Sequence, residues 1–489
     1  MRSLNLFAAH RSISKSLHVC IVLFCCFFSV CHKDTAKPSV TVTFLDPEWS
    51  HDTSQRSVAS EAALREFTRQ TGVQVIHLPG PENSRDQLAF TQQLLQRGRG
   101  GPDVIAIDMV WPGILQQYLT DLKPAFATAI ASEDPELIST YSVDNKLLAI
   151  PYHTNTGILF YRADLLKKYG FPRPPRTWDE LEVMALRIQQ GERARGHKDF
   201  WGFVWPGAAN ESLTCNALEW QVSQGGGRIV NADKTIDVNN PETIRAWQRA
   251  AHWVGWISPP NVLSYQEWDA LNAFHYAGTT AFWRGWMSDY FLSQPVNTTW
   301  GGVAGLTSVP GGSWGRVATV GGFGLAVPRA STHPQEAVQL VRFLLGKEQE
   351  LDEARTRSGP PQAPVLVDLP GVLKAYAQFG LTPGQKPGGS ITRPSTVTAE
   401  KYDAVSSAYF KAVHSVLSGK VKAKDAAAAL QTQLTEITGF PAAPSSRQTC
   451  DSRENRACTR NLTYHNGRAT VTRPGSVRAR RVKQTGSEA

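Results

Sequence analysis

Apolar and polar positions alternate along most of the chain with one of two periods. Residues 40–45 read Val-Thr-Val-Thr-Phe-Leu, a period of two that predicts a strand. Residues 57–70 carry a helical pattern, and Gly72 stands where a helix C-terminus favours glycine. Residues 73–78 predict a second strand. Ser84 and Gln87 have the spacing of a capping box, opening a helix to about Arg97 that Gly98 closes. Residues 103–107 are a short apolar run, read as a buried strand. This β-α-β-α-β order predicts a parallel sheet with helices on its faces, an α/β fold. The alternation recurs with strands at 158–161, 279–283 and 322–327. Thr177 with Glu180 caps a helix to about Gln190, and Thr332 with Gln335 opens one to Leu345. Residues 400–417 keep Val405, Tyr409, Ala412, Val413, Val416 and Leu417 on one helical face, Gly419 ends that helix, and a last helix spans 425–437. Beyond Phe440 the periodicity stops and Arg, Ser, Thr, Pro and Gly dominate, so 441–489 is expected to be a disordered tail.

Charge sharpens this division. The 489 residues carry a formal +9, which taken whole would suggest an anionic partner. Residues 1–30 hold Arg2, Arg11 and Lys15 with no acid, a contribution of +3. Residues 441–489 contribute +7, which leaves −1 for the body between them. No nucleic-acid partner is therefore expected. Residues 19–30 form an apolar run too short for a span of about 20 residues but suited to an export signal. Cys31 follows it directly, and 31–39 reads as a polar tether. Of the 7 cysteines, Cys20, Cys25, Cys26 and Cys31 lie in or at the end of the leader. Cys215 stands alone in the body, and Cys450 with Cys458 either pair or stay free in the tail.

Several chemistries lack their residues. There is no P-loop, the body has no run of 18 apolar residues, and the 12 histidines form no helical His-x-x-x-His pair. No metal or cofactor is expected, and no enzyme activity.

The segments Pro-Tyr-His-Thr-Asn-Thr-Gly-Ile-Leu-Phe-Tyr-Arg (151–162), Ala-Asp-Leu-Leu-Lys-Lys-Tyr-Gly-Phe (163–171) and Pro-Arg-Thr-Trp-Asp-Glu-Leu (175–181) carry a resemblance. So do 100–108, 226–230, 279–286, 320–327 and 412–420, in order along 40–440. Together they resemble the bacterial extracellular solute-binding proteins of family 1, which serve ABC importers, and within it the trehalose/maltose-binding branch. The resemblance implies a two-lobed periplasmic-binding-protein fold of type II, hinged around a sugar in the interlobe cleft. Lobe 1 would be 40–157 plus 310–360, and lobe 2 158–309 plus 361–440. It implies an exported, monomeric protein that delivers a di- or oligosaccharide to membrane permease subunits. Polyols, glycerol phosphate and polyamines are the alternative ligands. The apolar run ending in Cys31 resembles a lipobox, although Val30 replaces the usual small residue, so lipidation of Cys31 and a plain cleaved signal both stay open.

A pyranose offers an apolar face to an aromatic ring and a rim of hydroxyls to carboxylates, amides and guanidinium groups. By the resemblance, Trp286 is the stacking aromatic, and Asn155 stands where many members carry an acid. Asp108 ends a buried strand, where strand C-termini line clefts. Glu48, in the loop after the first strand, and Arg393 are candidates for the hydroxyl rim. Trp111 and Trp220 are further aromatic candidates. Gly321 and Gly322 would let the backbone approach a ligand.

Overall fold

A computed structural model describes residues 40–46, 61–81, 84–132, 135–289, 299–302, 304–346, 348–349 and 389–444, with 462–465 and 468–471 in the tail. The leader with Cys31, Glu48, Cys450 and Cys458 lies outside the described residues.

The strands are β1 (Thr41–Asp46), β2 (Gln74–Pro79), β3 (Val104–Asp108), β4 (Ser142–Val143), β5 (Lys146–Leu147), β6 (Ile150–Arg162), β7 (Trp201–Val204), β8 (Thr280–Trp286), β9 (Ala304–Ser308), β10 (Val317–Ala326) and β11 (Gly389–Ile391). Helices Glu61–Thr71 and Ser84–Gln96 make the first two crossovers, and β2-β1-β3 are parallel as the pattern predicts. The expectation of a wholly parallel sheet does not hold beyond them. The sheet runs β2-β1-β3-β10-β6-β8-β7, with β9 on β6 and β11 on β10. β10 is antiparallel to both β3 and β6. Local helical crossovers impose parallel pairing, whereas β10 returns from a distant part of the chain under no such constraint.

β6 is the largest difference from the predicted elements. It is a 13-residue strand, of which the pattern at 158–161 reveals only the buried end. Its first half, from Pro151 to Gly157, is polar and half-buried, so it shows no apolar alternation. Opposite it, β10 pairs Val320 with Thr156, Gly321 with Asn155 and Gly322 with Thr154, with an irregularity between Phe323 and Gly324.

Two separate cores flank this crossing. The first gathers Phe44, Phe67, Ile105, Ile107, Ile150, Val320, Leu325 and Leu340. The second gathers Leu159, Trp178, Trp205, Trp247, Trp253, Val317, Val405, Tyr409 and Leu430. β6 therefore leaves the first core after Ile150 and enters the second at Leu159, while β10 leaves the second at Val317 and enters the first at Val320. A smaller cluster of Ile158, Phe160, Phe274 and Trp283 sits under β8.

The helices follow their caps more than their periodicity. Thr177 accepts from the Glu180 N–H, as predicted, and opens Trp178–Ala194. The Thr332/Gln335 box does not form. Helix Pro334–Leu344 begins after His333, whose side chain makes no cap, and Thr332 instead pairs with the His333 ring at 3.1 Å. Proline at the first helical position needs no N–H partner, so the box is dispensable there. Glu211–Ser223 gave no periodic signal because nearly every side chain in it is buried. Asn240 caps Pro241–Trp253, and Tyr402–Leu417 packs against Ala423–Thr438 in the second core. In the tail, Leu462–His465 and Arg468–Val471 pair antiparallel, where no structure was expected.

Cys215 is buried, and burial pushes its thiol up to about 12, so it is a packing residue and not a nucleophile. His275 is wholly buried in a π-helical turn, Asn272–Tyr276, against Phe160, Phe274 and Trp283, and neither ring nitrogen has a hydrogen-bond partner. Burial holds the imidazole down at about 4, against 6.5 when solvated. Between these values the unfolded chain binds the proton and the folded chain does not. Stability should therefore be full above about pH 6.5 and fall by roughly 3 kcal/mol by pH 4. Urea unfolding across this range should show that slope, and His275→Phe should flatten it; an unchanged slope in the variant would rule His275 out as its source.

Candidate functional site

Polar groups collect where β6 and β10 cross from one core to the other. β3 ends at Asp108, whose Oδ1 accepts from the Val110 N–H at 3.0 Å and from Arg393 Nη2 at 3.1 Å. The side chain stays 20% exposed. Arg393 follows β11, is 2% exposed, and donates through Nη1 to Glu211 Oε1 at 2.8 Å. Glu211 is the first residue of the 211–223 helix, which Asn210 caps. It also accepts from the Tyr402 hydroxyl and from Ser406 Oγ. One guanidinium thus joins a strand end of the first core to a helix start of the second. Burial pushes the Asp108 carboxyl above its usual range, only partly offset by Arg393. Burial also works against the Arg393 charge, but the neighbouring acids, Asp108 foremost, outweigh it and hold the proton firmly.

Asn155 lies mid-crossing, opposite Gly321. Its Nδ2 donates to Ser288 Oγ at 2.7 Å, and its Oδ1 accepts from the Ser288 N–H at 3.2 Å and the Thr156 N–H at 2.9 Å. The amide ties β6 to the turn after β8.

Trp286 ends β8 opposite Gly157 and is half-buried. Its Nε1 donates to Glu267 Oε1 at 2.8 Å, and its backbone N–H to Asp289 at 2.9 Å. Arg284 lies 4.2 Å from the ring centroid and is itself paired with Glu219 at 2.6 Å, both wholly buried.

Two of the predicted aromatics are packed inside the cores. Trp111 is 5% exposed in the first core, and Trp220 is 3% exposed, edge-on to Trp205 and Trp253 in the second. Neither ring has a face left for a ligand. Gly321 and Gly322 lie where there is little room for a side chain. A Cβ on Gly321 would lie 3.0 Å from the Trp286 ring, and one on Gly322, at φ +138°, would lie 2.1 Å from the His153 carbonyl oxygen. Asp108, Asn155, Trp286 and Arg393 come together at the crossing. Glu48 lies outside the described residues. Sequence reasoning missed Glu211, Glu219, Glu267 and Ser288. The one signal for the glutamates was an acid among apolar residues on a helix, which needs a partner when buried.

Residues 62–380 match the family model described as bacterial extracellular solute-binding protein. The chain belongs to that family. A relative in Deinococcus radiodurans, a probable ABC transporter-binding protein, is 40% identical over 375 residues, 76% of this chain and 89% of its own length. Among solved structures, this solute-binding protein superposes on maltose-bound MalE3 of T. maritima with a TM-score of 0.72 at 27% identity, over 82% of this chain and 100% of that one. It superposes on a solute-binding protein of Agrobacterium radiobacter K84 in complex with ribitol with a TM-score of 0.66 at 20% identity, over 82% and 99%. The two-lobed periplasmic-binding-protein fold is thereby established. Among the described residues no helix is long and apolar enough to cross a membrane, and no group of three His, Cys, Asp or Glu is placed to hold a metal ion.

Replacing Arg393 by Met would leave Asp108 and Glu211 largely buried without their counter-charge. Breaking such a bridge from one side costs about 3–5 kcal/mol. Urea unfolding of Arg393→Met should show a loss of that order, and a loss below 1 kcal/mol would mean that Arg393 does not bind the two sides together.

Proposed function

We propose that this solute-binding protein captures a disaccharide or short oligosaccharide of the trehalose or maltose type at the crossing between its two cores. The observation that carries this is Trp286. It is a half-buried indole pinned at its nitrogen and backed on one face by Arg284, close to Asn155, with Asp108, Glu211 and Arg393 at the same crossing. A pyranose needs that pairing of an aromatic face with fixed donors and acceptors. The near-neutral body suits an uncharged ligand.

The lobes we assign are 40–157 plus 310–360 and 158–309 plus 361–440, hinged where β6 and β10 pass between the cores. Closure buries the sugar, and the closed monomer docks on the permease subunits of its importer. Residues 1–30 direct export, and Cys31 carries a lipid anchor if one is added. The protein's work is capture and delivery, not catalysis.

A second reading, the same site holding a polyol, is favoured by the ribitol-bound neighbour. Glycerol phosphate fits less well, because Asp108 and Glu211 would face its phosphate. A polyamine would have to overcome Arg393 and the neutral Asn155.

A thermal-shift series with maltose, trehalose, ribitol and spermidine separates these readings, since a ligand of the native state raises the melting temperature. Maltose or trehalose should give the largest rise. Trp286→Ala should then weaken sugar binding by about 1–3 kcal/mol, measured by calorimetry. A rise with spermidine alone would contradict the sugar reading, and an unchanged affinity would remove Trp286 from the site.

A further inference from the structure

The surroundings of Trp286 are more elaborate than a surface aromatic requires. Two groups fix its indole from different directions. Glu267, the first residue of the short helix Glu267–Leu271, accepts the ring N–H at 2.8 Å and is itself held by Ser212 Oγ at 3.0 Å. Arg284 lies against the ring at 4.2 Å. Arg284 donates twice to Glu219, at 2.6 and 3.2 Å, and Glu219 Oε1 also accepts the Thr319 N–H of β10 at 3.0 Å. The ion pair is wholly buried, so it contributes little net stability and gains its value from geometry.

Two glycines on adjacent strands make room for the assembly. A Cβ on Gly157 of β6 would lie 2.2 Å from Glu219 Oε1 and 2.4 Å from Arg284 Nη2. A Cβ on Gly321 of β10 would meet the Trp286 ring. The crossing strands are thus cut back where the ion pair and the ring sit.

We propose that Glu267 and the Glu219–Arg284 pair are positioning residues that fix the plane of Trp286, so that a ligand meets a preset aromatic face. This rests on the reading of Trp286 as the stacking ring. Glu267 acts through the indole and not on the ligand. A preset ring loses little freedom on binding, which is where such residues raise affinity.

The test uses the full-length protein, titrated calorimetrically with maltose, and with ribitol if maltose gives no heat. Glu267→Ala should lower affinity about 3- to 10-fold, the scale of one ordinary net hydrogen bond lost indirectly. Glu267→Gln, which keeps an acceptor for the indole, should recover most of it. In a Trp286→Ala background, Glu267→Ala should change affinity by less than about 2-fold, because two residues acting as one unit are not additive. An equal loss in both backgrounds, or no loss in either, overturns the proposal.

A ligand-free measurement keeps the two readings apart. The Trp286 indole N–H, assigned by its disappearance in Trp286→Ala, should exchange with solvent more slowly in the wild type and in Glu267→Gln than in Glu267→Ala. Equal exchange in all three overturns the positioning role even if maltose binds. Slow exchange with no effect of Trp286→Ala on affinity upholds the positioning of the ring and removes the stacking role instead.

Discussion

The antiparallel pairing of β6 with β10 is the constraint on which the other features depend. These two strands are the only described strands with residues in both hydrophobic cores, one entering the second core at Leu159 and the other the first at Val320. A segment shared by two cores cannot bury a continuous apolar face between them. Its middle is polar, short-chained or glycine, as 153–157 with Gly321 and Gly322 show. The backbone bonds of the pair keep the chain extended across the gap. They also bring Asn155, Gly157 and Gly321 next to the end of β8 and Asp108 close to the start of a helix from the other side.

The charges at the crossing are arranged in paired groups, in which Arg284 Nη1 and Arg393 Nε are left without a hydrogen-bond partner. Arg393 serves two carboxylates, and Glu211 gathers a guanidinium and two hydroxyls. Arg284 serves Glu219, which in turn takes a backbone N–H. Burying ions in this way is costly unless their bonding is satisfied. What it yields is fixed direction. Hydroxyl recognition depends on donors and acceptors that do not reorganise when the ligand arrives, and an aromatic face is useful only at a set tilt.

Much of the fold was legible in the residues. The β-α-β-α-β opening, the Thr177 cap and the amphipathic helix at 402–417 each follow local rules, and each is present. The elements that escaped were those whose environment is set by distant chain. β6 hid behind its polar half, and the 211–223 helix is buried on every side and so has no period to read. β10 turned the sheet from parallel to mixed through a pairing that no local pattern encodes. The site divides in the same way. Asp108, Asn155, Trp286 and Arg393, singled out from their segments, lie where β6 and β10 cross between the cores. Trp111 and Trp220 were indistinguishable in sequence from exposed aromatics, because burial is a property of the packed cores. The glutamates that organise the crossing gave only a weak local signal, an acid among apolar residues on a helix, because their partners come from distant parts of the chain.

The whole-chain charge of +9 plays no part in this site, for the basic excess resides in the leader and the tail. The central claim is that a neutral ligand covers the Trp286 ring. Oxidative footprinting read by mass spectrometry tests it most directly, with Trp314, 58% exposed, as the internal control. With saturating maltose, oxidation of Trp286 should slow while that of Trp314 continues unchanged. Trp286 oxidised at the same rate with and without bound sugar would contradict the account.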